Sequence, residues 1–121
     1  MRRSILAVVL VTLPFTAQAQ LLSQSMAQCS GFFHAMSPFM SDPARAEKVD
    51  KAAIAWRAAA VSQAQGEGHI DPAGYVARYQ RESYEDWRGR GKLSAFSEDF
   101  RDWAKYCNSL AKSKGLTIMP D

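Results

Sequence analysis

The sequence predicts an all-α protein: a small up-down four-helix bundle closed by one disulfide, behind an N-terminal signal peptide. Three observations predict it. Apolar residues recur at three- and four-residue spacing through four segments, the period of one helix face. No segment sustains the apolar-polar alternation of a half-buried strand. The two cysteines, Cys29 and Cys107, each fall inside an apolar stripe, where packed helices bring them within bonding reach.

The chain opens with an export signal. Met1-Arg2-Arg3 is basic, Ser4 to Phe15 is mostly apolar, and Thr16-Ala17-Gln18-Ala19 ends in the small-x-small pattern that signal peptidases cut. Cleavage is expected after Ala19, leaving residues 20–121 as a single helical domain. The apolar run is about half the roughly 20 residues of a spanning helix, so no transmembrane anchor is expected after cleavage. Arg2-Arg3 reads as an ordinary basic n-region rather than a twin-arginine signal. The expected location is periplasmic or secreted.

Cleavage leaves 121 − 19 = 102 residues, enough for one core. Removing Arg2 and Arg3 from the 15 basic residues leaves 13 against 12 acidic ones, a net charge of +1. That balance gives no support to a nucleic-acid partner. An even cysteine count in an oxidising compartment favours a Cys29–Cys107 disulfide over two reactive thiols. Closing so long a loop is worth about 4 kcal/mol by the chain-entropy argument.

Leu22, Met26, Cys29, Phe33 and Met36 form the stripe of the first helix. Ser41-Asp42-Pro43 opens the second, with a cap and a proline at the first helical position; Ala46, Val49, Ala53, Trp56 and Ala60 hold one face, and Gln65-Gly66-Glu67-Gly68 ends it. Asp71-Pro72 opens the third helix, which runs to about Arg88 and stops at Gly89 and Gly91. The fourth is expected from about Leu93 to Lys114, with Leu93, Phe96, Phe100, Trp103, Cys107 and Leu110 as its stripe. Trp56, Trp103, Phe33 and Phe100 are the expected core aromatics.

Nothing in the chain carries a catalytic motif. There is no Gly-x-Ser-x-Gly elbow, no phosphate-cradling glycine loop and no His-Glu-x-x-His pair. His34 lies off the stripe that holds Met26, Cys29 and Met36, so these residues do not converge on a metal. His69 sits in a loop, and the Cys-x-x-Cys-His run of haem attachment is absent. Most carboxylates stand at helical spacing from basic residues, as in Glu47/Lys51, Arg78/Glu82, Arg81/Glu85 and Asp86/Arg90. Arg57, at the edge of the second helix's apolar face, either snorkels outward or pairs with Asp50. No catalytic, cofactor-binding or metal residue is expected.

The third helix carries the strongest sign of a partner. Tyr75, Arg78, Arg81, Tyr84, Trp87, Arg88 and Arg90 combine the side chains most enriched at interface centres. From Tyr75 to Lys92 basic residues outnumber Glu82, Glu85 and Asp86, which points to an unidentified protein or an anionic envelope component. The expected function is non-catalytic: an exported helical protein that binds a partner, as an inhibitor, an adaptor or an envelope accessory factor. A periplasmic stress or chaperone-like factor is the alternative, by analogy of size, compartment and bond. A small enzyme ranks third.

Overall fold

The computed structural model describes residues 21–118; the predicted signal peptide lies outside them. Four helices make up this region: α1 (Leu22–Met36), α2 (Pro43–Gly66), α3 (Pro72–Arg90) and α4 (Glu98–Ser113), with single 3₁₀ turns at Ser37–Phe39 and Lys92–Phe96. No strand occurs among the described residues. Cys29 and Cys107 are bonded, their Cα atoms 5.8 Å apart. The protein is thus all-α, with four helices closed by one disulfide.

The centre of the molecule is α1. From Leu21 to Met40 the chain carries no Asp, Glu, Lys or Arg, so nothing obliges any face of the helix to meet water. Accordingly 11 of its 15 residues are buried, and the predicted stripe is only one of its covered sides. Phe32, outside that stripe, is 1 % exposed and packs edge-on to Phe33 (centroids 5.2 Å apart) and Trp87 (4.9 Å), and tilted against Phe100 (5.1 Å).

Small residues let α1 approach its neighbours closely. A Cβ on Gly31 would lie 2.8 Å from Ser83 Cβ and from the Tyr84 nitrogen, and closer still to the Gln80 carbonyl oxygen. Any side chain there would push the backbones of α1 and α3 apart. On the adjoining face, Ser30 Oγ donates to the Ala53 carbonyl (2.7 Å) and accepts from Gln80 Nε2 (2.9 Å), joining α1, α2 and α3 at one hydroxyl. Ser83 Oγ adds a second tie to α1 by donating to the Gln28 carbonyl at 2.8 Å. Ala52, Ala53, Ala60 and Ala64 form the buried face of α2 beside Val49 and Trp56.

The helix ends follow their predicted caps. Asp42 accepts from the Ala44 amide and Asp71 from the Gly74 amide, both at 3.0 Å, ahead of Pro43 and Pro72. The start of α4 is a correction. Gly91 turns the chain with φ +80°, Lys92–Phe96 forms a 3₁₀ turn, and the helix begins only at Glu98. Ser97 is its cap, accepting from the Phe100 amide at 3.1 Å, and Glu98 and Asp99 place acid in the first turn. Leu93 and Phe96, expected in the stripe, are 81 % and 77 % exposed.

Packing is uneven around this frame. The close backbone approaches join α1 to α3, α1 to α2 and α2 to α3, whereas α4 meets α1 at few places besides the disulfide. Of the expected core aromatics, Trp56 and Phe33 are buried, while Phe100 and Trp103 are partly covered.

Candidate functional site

The predicted partner surface does not stay together in three dimensions. Trp87 is 2 % exposed and belongs to the core, which corrects its place among the partner-binding residues. It follows Val76, Tyr79 and Ser83 on the inner face of α3, and that geometry carries it inward. Arg90 lies over the covered ring, 4.2 Å from its centroid, and pairs with Asp86 (2.9 Å) and Asp99. Those two carboxylates, Asp99 foremost, hold the guanidinium above its ordinary pKa. Arg78 is engaged with Glu82 (3.4 Å) and the Tyr79 ring.

Tyr75 belongs to a polar clasp at the other end of the bundle. Its ring stacks on His69, centroids 3.9 Å apart, and meets Tyr79 at 4.9 Å. Burial raises its phenol pKa, with a hydrogen bond to Ser23 acting the other way. Beside it, Glu67 receives the Ser23 amide (3.1 Å), the Ser23 hydroxyl, Gln63 Nε2 (3.1 Å) and His69 Nε2 (3.1 Å). Leu21 supplies no side-chain cap to α1. The carboxylate that ends α2 therefore does what a cap would do, satisfying an orphan amide in the first turn of α1.

Burial works to raise the Glu67 pKa, but the hydrogen bonds from Ser23, Gln63 and His69 outweigh it and hold the pKa below the ordinary value. A carboxyl depressed in the folded state contributes stability that is complete above its unfolded pKa and lost as pH falls through the folded one. Glu67→Gln is accordingly expected to cost about 1 to 3 kcal/mol at neutral pH and to flatten the acid limb of a melting-temperature profile. Parallel acid limbs for the two proteins would show that the clasp does not titrate with folding.

What remains of the predicted surface is joined by residues from two other helices. His34 of α1 and Arg57 of α2 line a groove of about 280 Å³ with Ala77, Gln80, Arg81 and Tyr84 of α3. Tyr84 lies beside the His34 ring, centroids 4.8 Å apart, and under the Arg88 guanidinium, 5.7 Å from its centroid. Arg88 also reaches over Phe39, at 5.9 Å. Asp50 is drawn to His34 Nδ1 at 3.4 Å. Among the described residues neither Arg57 nor Arg81 pairs with a carboxylate.

The groove lining thus includes two guanidiniums without a carboxylate partner, a side-chain amide and a phenol, groups that can donate hydrogen bonds to an oxyanion. It holds no nucleophile positioned by a base, and no group of three or more metal-ligating residues occurs among the described residues. Sequence reasoning found Arg81, Tyr84 and Arg88 but not His34, Arg57 or Gln80. Spacing along one helix says which residues share a face, not which residues of other helices stand opposite.

Two further cavities flank α4. One of about 370 Å³ lies among Phe32, Phe33, Met36, Met40, Val49 and Phe100. The other, about 390 Å³, is lined by Ser25 of α1 with Asp99, Asp102, Trp103 and Tyr106 of α4. No helix among the described residues is long and apolar enough to cross a membrane. No family model, no curated protein and no solved structure matches the chain.

Proposed function

We propose that this is an exported helical protein that acts without catalysis, by binding an anionic partner through the groove between α1, α2 and α3. Export rests on the Met1 to Ala19 pattern and on a bonded cysteine pair of the kind found in oxidising compartments. The observation that carries the binding reading is that Arg57 and Arg81, from different helices, line one groove with Tyr84 and Gln80. Two exposed arginines on one groove, neither paired with a carboxylate, leave local positive charge that an anion can neutralise. An envelope component bearing phosphate supplies that charge, as does an acidic patch on a protein.

Arg57 and Arg81 are both exposed, so removing them leaves the core intact. The double variant Arg57→Ala, Arg81→Ala is expected to melt within about 0.5 kcal/mol of the parent. Its binding to phosphatidylglycerol vesicles in a flotation assay should fall at least about tenfold, or about 1.4 kcal/mol, and added salt should weaken the parent's binding. Full binding by the double variant would move the contact elsewhere on the molecule. Failure of the parent to bind either the vesicles or inorganic phosphate would overturn the anionic-partner reading.

The alternative, a stress or chaperone-like factor, draws on the Glu67 clasp, because acid protonates the group that ties the start of α1 to the end of α2. Such a factor has to loosen on acidification. Circular dichroism unchanged from neutral pH to about pH 3 would remove it.

A further inference from the structure

We infer that the cavity between α1 and the first half of α4 is a binding site for a small organic ammonium ion. Its walls come from one face of α4: Asp99, Asp102, Trp103 and Tyr106 follow each other at three-, one- and three-residue steps, and Ser25 of α1 closes the far side. Trp103 and Tyr106 stand edge to face, ring planes at 89° and centroids 5.5 Å apart. In such a pair the edge of one ring lies against a face of the other, and the ring faces left uncovered attract a positive charge, tryptophan's most strongly.

The carboxylates give the cavity its sign. Asp99 is already engaged by Arg90, so Asp102, with no ion pair among the described residues, supplies the uncompensated negative charge. At about 390 Å³ the cavity falls at the small end of ligand pockets, with room for an alkylated ammonium headgroup and a short chain. Alkylated ammonium is favoured over sodium or potassium because its methyl groups lose little hydration on meeting aromatic faces, whereas a bare cation would need a shell of oxygens. Core packing accounts for only part of Trp103: Trp56 and Trp87 fill the interior, whereas Trp103 packs against its edge and keeps part of its ring uncovered.

Trp103 is also the built-in reporter. The other two tryptophans are 1 % and 2 % exposed, so a fluorescence change on adding a small cation reads out this cavity. Tetramethylammonium chloride titrated against sodium chloride at matched ionic strength is expected to give a saturable change with a dissociation constant near the millimolar range, about 4 kcal/mol. Asp102→Asn and Tyr106→Ala, both at exposed positions, should each weaken it at least about fivefold, near 1 kcal/mol. Their circular dichroism should match the parent's.

Equal affinity for tert-butanol, the uncharged counterpart, would overturn the inference by showing an apolar niche. So would a linear response shared with sodium, or undiminished binding by Asp102→Asn. If either variant fails to fold, the tetramethylammonium methyl resonance is expected to broaden with the parent and markedly less with Trp103→Phe, and equal broadening by the two would overturn the inference. Binding to phosphatidylcholine vesicles in the absence of any response to free tetramethylammonium would also count against it, because it would assign the site to a lipid surface.

Discussion

Trp87→Ala is expected to destabilise the protein by about 3 to 5 kcal/mol, the cost of a large cavity in a packed core. The indole is 2 % exposed, meets Phe32 edge-on at 4.9 Å and Phe100 at 6.3 Å, and lies under the Arg90 guanidinium. Its removal strips the ring contacts from Phe32, the aromatic at the middle of the interior, and leaves Arg90 without its platform. Trp103→Ala, by contrast, is expected to cost less than about 2 kcal/mol, because that ring is only partly covered and its loss opens a surface dimple. Chemical denaturation of the two variants settles the order. A loss below about 1 kcal/mol for Trp87→Ala would mean that α3 presents this ring outward.

Replacing both cysteines by serine is expected to cost about 2 to 5 kcal/mol, with the chain-entropy figure of about 4 kcal/mol at its centre. The structure adds where the damage falls. Because α4 approaches the rest of the backbone at few points besides Cys107, the loss should appear first as accelerated amide exchange in Glu98–Ser113, before α1, α2 and α3 open. The three-helix part keeps its own ties: the Gly31 approach, the Ser30 bridge and the Glu67 clasp. Uniform loss of protection across all four helices would show that the protein folds as one cooperative unit with α4 inside it. Stability equal to the parent's would show that α4 needs no staple.

Much of this was legible in the chain. Asp42-Pro43 and Asp71-Pro72 announce α2 and α3 because a side-chain cap and a proline at the first position are local chemistry, complete within a few residues. The Cys29–Cys107 bond followed from pairing two cysteines that both sit at apolar positions. The start of α4 was misplaced because Leu93 and Phe96 keep the helical spacing without being helical. The truer local signal was Ser97 followed by Glu98 and Asp99, a cap and an acidic first turn.

What the sequence alone determined is the class of structure: helical period, caps, stops and one covalent closure all act over short distances or through a single pair of side chains. Helical period also marked the covered stripes of α1 and α2; what covers each face, and how deeply, only the tertiary structure decided. Trp87 and Tyr84 are both aromatic, both on α3 and three residues apart, yet one fills the core and the other lines a groove with His34 and Arg57. That division depends on how close α3 comes to α1, which the missing side chain of Gly31 and the hydroxyl of Ser30 set. Burial is a property of the assembled neighbours, and the period of one helix contains no information about the distance to the next.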